Sequence, residues 1–228
     1  MCGFAGFVGE VENREQVLEN MIDTIIHRGP DSSGKFVDED AALGFRRLSI
    51  IDLSESGDQP LYNEDRSKVL VFNGEIYNYQ ELREELIQAG HTFVSNTDSE
   101  TLIHGYEQWG EELVYRLRGM YAFAIWDQKA KRLFSARDIF GIKPLYYAQM
   151  NGTLMFGSEI KSFLEHPKFD KVFNEDALGN YLSFQFVPTN ETFFKGVFCV
   201  QPGHYFVYEN GKMTIKRYFE PNFTGDTT

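Results

Sequence analysis

The strongest constraint in this sequence is its succession of short apolar runs, rich in aromatic and β-branched residues and separated by Gly, Pro and Asn. Runs at 4–8, 42–51, 68–72, 121–126, 132–136, 145–148, 154–156, 204–208 and 213–218 read as β-strands. Between them lie segments with helical spacing. In 14–27, Val17, Leu18, Met21, Ile22 and Ile25 share a face; in 79–89, Leu82 and Leu86 do so before a stop at Gly90. Segment 98–109 turns Leu102, Ile103, Tyr106 and Trp109 inward, with a cap at Asn96-Thr97 and a stop at Gly110. Shorter helices are expected at 158–165 and 175–182, the second capped by Asn174. Strands and helices come in blocks rather than in alternation, which favours an α+β fold. The 21 Phe and 12 Tyr residues suit a sheet-rich core with aromatic pairs across strands.

A chain of 228 residues buries enough surface to fold without a disulfide or metal, as one large domain or two small ones. Its net charge of −12 argues against nucleic acid and against an anionic membrane surface as partners. No apolar run reaches the length of a transmembrane helix, and the opening MCGFAGFVGE lacks the basic start of a secretory signal, so a cytoplasmic protein is expected. The two cysteines, Cys2 and Cys199, form no C-x-x-C pair, and the five histidines show no H-x-x-x-H or H-E-x-x-H spacing. A metal site is therefore not expected. There is no P-loop, no G-x-G-x-x-G and no G-x-S-x-G. Cys199, in an apolar stretch, reads as a packing residue.

Four polar positions carry possible chemistry. Cys2 directly follows the initiator methionine. With Met1 removed, its own α-amine, of unperturbed pKa about 7.7–8.0, would be a base beside the thiol. Otherwise Cys2 is an incidental terminal cysteine, although the alternation Phe4, Gly6, Val8 draws the terminus into a strand. Asn73-Gly74 follows an apolar strand and reads either as a hairpin turn or as two convergent N–H donors, an oxyanion hole. Arg47 sits among apolar residues and needs a carboxylate: Asp31, Asp52 or a ligand. Asp98 opens a helix, where the macrodipole favours it, and Asp98 or Glu75 could equally accept a ligand ammonium.

Together, MCGFAGFVG (1–9), IIHRGPDSSG (25–34), RRLSIID (46–52), QPLYNED (59–65), VFNGEIYN (71–78) and SNTDSE (95–100) resemble the glutamine amidotransferase domain of glutamine-hydrolysing asparagine synthetases. RGMYAFAIWD (118–127), ARDIFGIKPLYY (136–147), FGSEIKSF (156–163) and VPTNETFFKGVFCVQPGHY (187–205) continue the resemblance to about residue 220. It implies the four-layer αββα sandwich of N-terminal-nucleophile hydrolases over 2–220, with 221–228 a linker toward an absent synthetase domain. It implies Cys2 as nucleophile, Asn73 and Gly74 as the oxyanion hole, and Arg47 on the α-carboxylate of glutamine. Asp98 and Glu75 would hold the α-amine, and Leu48, Ser49, Ile50 and Ile51 would line the pocket. No cofactor is implied in this domain; ATP and Mg belong to the synthetase domain, whose S-G-G-x-D-S phosphate loop this sequence lacks. The expected partners are glutamine and that domain, in cis or in trans, with a homodimer also compatible. Two other readings stand beside this one: an amidotransferase that aminates a different carboxylate, and a catalytically silent regulatory domain.

Overall fold

In the computed structural model, which describes residues 2–48 and 57–222, the apolar runs form two antiparallel sheets packed face to face. In chain order the elements are β1 (Gly3–Val8), α1 (Arg14–Asp23), β2 (Ser32–Val37), β3 (Ala41–Arg47), β4 (Leu61–Tyr62), β5 (Lys68–Ile76), α2 (Tyr79–Gln88), α3 (Asp98–Trp109), β6 (Gly119–Asp127), β7 (Arg132–Arg137), β8 (Tyr146–Met150), β9 (Thr153–Gly157), α4 (Glu175–Phe184), β10 (Val197–Cys199), β11 (His204–Glu209) and β12 (Lys212–Arg217). One sheet has the order β10-β8-β9-β1-β3-β2, the other β12-β11-β7-β6-β5-β4.

Strand periodicity explains the layers. In β1, Phe4 and Val8 point into the gap between the sheets, while Ala5 and Phe7 point outward against α1. In β5, Val69 and Val71 enter the same gap from the other side, and Leu70 and Phe72 meet Leu82 of α2 and Leu102 and Ile103 of α3. Both strands are buried on two faces, so both read as continuous apolar runs rather than alternating ones. Helix, sheet, sheet and helix thus stack in the expected four-layer order.

Several boundaries differ from the sequence reading. The strand expected at 68–72 continues to Ile76, so Asn73-Gly74 lies within a strand and forms no hairpin turn. A Cβ on Gly74 would lie 2.2 Å from the Met120 carbonyl oxygen, so the glycine serves close strand approach. The helix expected at 14–27 ends at Asp23 and is followed by a 3-10 turn over Ile26–Arg28. The helix expected from 158 is a 3-10 segment, Ile160–Glu165. Asn174 makes no side-chain cap; its amide donates to the Thr192 carbonyl instead. The strand foreseen at 42–51 ends at Arg47 and, with Leu48 following, its remainder lies outside the described residues. Strand β2 went unforeseen because, as an edge strand of sequence SSGKFV, it buries neither face fully. Among the described residues no helix is long and apolar enough to cross a membrane.

Candidate active site

Register and parity bring three of the four sequence candidates to one end of the gap between the sheets. Strand β1 is central, flanked by β9 and β3, and its ladder pairs Gly3 with Arg46. One residue beyond that pair, Cys2 and Arg47 stand opposite each other. Cys2 shares the parity of Phe4, Arg47 that of Leu43 and Phe45, and Asn73 that of Val69 and Val71, all gap-facing residues. The Leu48 N–H donates to Cys2 Sγ at 3.4 Å, and the thiol faces the Leu48 carbonyl oxygen at 3.7 Å. The strand start is anchored on both sides. Ser158 Oγ accepts from the Phe4 N–H at 3.1 Å, and Arg28 Nε donates to the Cys2 carbonyl at 3.0 Å while its Nη1 reaches Glu159 at 3.0 Å.

The open edge of β5 presents the N–H groups of Phe72, Gly74 and Ile76, because alternate residues point the same way along a strand. The Phe72 N–H is taken by Gln59 Oε1 at 2.6 Å, and the Ile76 N–H by Asp98 Oδ2 at 2.8 Å. Gly74, between them, aims its N–H into the space those two side chains bracket. Beside it, the Asn73 side chain is 2% exposed, and its Nδ2 has no hydrogen-bond partner among the described residues. A buried amide donor without an acceptor is costly, so its retention calls for a reason.

Charges of both signs surround this edge. The buried Arg47 pairs through Nη1 with Asp58 at 2.8 Å, and Asp58 also accepts from Ser32 Oγ at 2.9 Å. Of the carboxylates considered from sequence, Asp31 is tied to Arg47 through the backbone, its N–H donating to the Arg47 carbonyl at 3.1 Å, and Asp52 lies outside the described residues. Burial pushes the Asp98 carboxyl above its ordinary value; the Ile76 and Ser99 N–H groups pull it down, and the nearby Glu75 charge adds to the rise. Lys143 is buried, and burial followed by the Arg28 charge lowers its ammonium pKa, opposed by Cys2, Asp138 and Glu75. One buried cation therefore senses both Cys2 on the first sheet and Glu75 on the second.

Cys2, Arg47 and Asn73 thus share the parity of gap-facing residues, and Leu48 lies against Cys2. Gly74 and Glu75 follow Asn73 on β5, and Asp98 caps the Ile76 N–H at the end of that strand, whereas Ser49, Ile50 and Ile51 lie outside the described residues. Arg28, Asp58, Gln59 and Lys143 were not singled out from sequence. The available signal was a charged or amide residue inside an otherwise apolar or Gly/Pro-rich motif, as Arg28 in HRGP and Lys143 in GIKPLYY.

A thiol at the head of a central strand, at the mouth of an αββα sandwich, defines the N-terminal-nucleophile class of hydrolase folds. The chain belongs to the glutamine amidotransferase domain family, whose sequence profile matches residues 1–219. It is 46% identical over 229 residues to asparagine synthetase [glutamine-hydrolyzing] 1 of Bacillus subtilis, covering 98% of this chain and 36% of that protein. It is 38% identical over 220 residues to the amidase chyE of Penicillium rubens, covering 91% of this chain and 32% of that one. The chain thus spans about a third of the length of these curated relatives. Among solved structures, the glutamine phosphoribosylpyrophosphate amidotransferase of Bacillus subtilis superposes with a TM-score of 0.71. That match covers 96% of this chain and 50% of the other at 21% identity, a likeness of fold.

Proposed function

We propose that this domain hydrolyses the γ-amide of glutamine and releases ammonia for an ATP-dependent amidation carried out by a synthetase domain, in cis or in trans, in the cytoplasm. The observation that carries the reading is the partnerless Asn73 amide, buried beside the Gly74 N–H at the end of the gap that Cys2 faces. Two donors there suit the negative oxygen of a tetrahedral intermediate. With Met1 removed, the Cys2 α-amine takes the thiol proton, and Sγ attacks the γ-carbonyl carbon. The intermediate collapses with protonation of the leaving nitrogen, ammonia departs, and water hydrolyses the γ-glutamyl thioester to glutamate and free thiol.

Glutamine is a zwitterion, and the cleft offers a partner for each end. Arg47, supported by Asp58, takes the α-carboxylate; Asp98 and Glu75 take the α-ammonium, and the ligand's charge offsets the burial that raises Asp98. Leu48, whose N–H donates to Cys2 Sγ, lines the pocket. The cysteine chemistry needs no metal or cofactor in this domain; ATP and Mg serve the synthetase step. Aspartate is the acceptor by analogy with the Bacillus relative.

The test is glutamate production from glutamine by the purified protein, with intact-mass measurement alongside. Active material is expected to lack one methionine, and Cys2→Ala to abolish glutamate release. Full activity in Cys2→Ala, or in protein retaining Met1, would remove Cys2 and its amine from the mechanism. Transfer of amide 15N into asparagine by the full-length enzyme tests aspartate as the acceptor.

A further inference from the structure

On the far side of β5 from the first sheet, four potential ligand side chains converge from three chain segments: Glu64 between β4 and β5, His91 just after α2, and His104 and Glu107 one turn apart on α3. One donor atom from each lies within 4.8 Å of all the others. His104 Nδ1 is 3.4 Å from Glu107 Oε2 and 3.6 Å from Glu64 Oε1, and His91 Nδ1 is 4.0 Å from Glu107 Oε2. Bonds of about 2.0–2.2 Å to a tetrahedral ion place its ligands roughly 3.4 Å apart, so shifts of under about 1 Å close the set.

The groups behind the four residues point the same way. His91 Nε2 is engaged by Gln108 Oε1 at 3.2 Å, which leaves Nδ1 turned inward. His104, only 2% exposed, has Nε2 3.5 Å from Glu100 and Nδ1 on the cluster, with the Phe93 ring packed against it at 4.6 Å. Glu107 accepts from Asn63 Nδ2 at 2.8 Å through its other oxygen, with Lys68 Nζ 3.8 Å away, and Glu64 Oε1 faces the Thr92 N–H at 3.4 Å. His91 is thus held through Nε2 with Nδ1 toward Glu107, and His104 presents Nδ1 to Glu64 and Glu107 with Glu100 behind its Nε2, the kind of outer support that metal-binding histidines have. Chance surface acid clusters lack such support and lack a buried histidine.

We propose that Glu64, His91, His104 and Glu107 form a closed His2Glu2 site for a divalent transition metal of the zinc class. The ion would displace the proton that the surrounding carboxylates favour on His104; two neutral imidazoles and two carboxylates then neutralise a dication, and the mixed nitrogen and oxygen set suits Zn2+ over Ca2+ or Mg2+. The ion would pin α3 to the β4–β5 connection and to the end of α2. Since α3 begins at Asp98, about 1.7 turns before His104, the staple would hold that carboxylate against the Ile76 N–H. The site is structural and independent of the glutaminase reading.

Calorimetric titration of ZnCl2 into chelator-treated protein, its thiols first blocked with iodoacetamide, should show about one ion per chain and a raised Tm. Co2+ should give the intense visible absorption of a tetrahedral site. His91→Ala and Glu64→Gln, both away from the core, should each weaken binding by about tenfold or more and abolish the Tm rise. Absence of saturable binding in the parent protein, or affinity unchanged in both variants, would overturn the site.

Discussion

Asn73 and Arg47 face the same gap yet meet different needs there. Arg47 has an internal carboxylate, Asp58, and is neutralised without a ligand; the Asn73 amide nitrogen has no acceptor among the described residues. Under the proposed glutaminase function, Arg47 would then act on ground-state binding and Asn73 where an oxyanion develops. Asn73→Ala should lower kcat roughly 100- to 1,000-fold with little change in KM. Arg47→Ala should chiefly raise KM for glutamine; steady-state kinetics of both variants shows whether the effects divide in this way. An unchanged kcat in Asn73→Ala would take it out of the oxyanion hole. The residue types were legible in the sequence, but the bonding that distinguishes them was not. Arg47 was expected to meet Asp31, Asp52 or a ligand carboxylate; the described protein partner is Asp58, because the chain returns at 57–60 to lie against β5.

At the level of elements, helix α3 was read to the residue because an apolar face, a leading polar cap and a terminal Gly110 agree. Its N-terminus is satisfied differently from the expectation. Glu100 accepts from the Val94 and Ser95 N–H groups at 2.7 Å each, and Thr97 makes no side-chain cap. The Asn73-Gly74 turn failed as a reading because its local signal is a hairpin, whereas pairing with Ala122 and Tyr121 of β6 keeps the strand extended. The junction of β1 with the 3-10 segment Ile160–Glu165 carries a pH dependence. His166, 2% exposed and edge-on to Phe7 at 4.7 Å, accepts the Lys168 N–H on Nδ1, which requires a neutral ring. Burial, then Lys168 and Arg14, lower its pKa to about 4. Between about 6.5 and about 4 the unfolded chain binds a proton that the folded one refuses, so stability falls as pH falls through that window, by about 3 kcal/mol at most. Urea unfolding at several pH values should show this loss, and His166→Phe should flatten it; an equal slope in the variant would assign the dependence elsewhere.

Across the whole molecule, the two sheets must keep their spacing for a cysteine on one and an asparagine on the other to share a cleft. Trp126 spans that gap: it is 1% exposed in the layer between the sheets, and its Nε1 donates to Asp38 Oδ2 at 2.7 Å, just past β2 on the opposite sheet. Trp126→Phe keeps the packing and loses the hydrogen bond, for an expected cost of about 1–2 kcal/mol. Trp126→Ala should cost about 3–5 kcal/mol. Chemical denaturation of the pair separates the terms: a negligible loss in Trp126→Phe would mean the hydrogen bond contributes nothing, and equal losses in the two variants would mean the packing adds nothing to it. By itself, the amino-acid sequence determined most of the strands, the course of α2 and α3, that the fold is α+β, and which motifs carry reactive groups, since periodicity and glycines act over a few residues. Only the tertiary structure decided that the Asn73 amide lacks an acceptor among the described residues, that Asp58 answers Arg47, and that two glutamates and two histidines between residues 64 and 107 meet at one point. Those outcomes depend on strand register and on which faces pack together, and contacts between distant residues leave no local period to read.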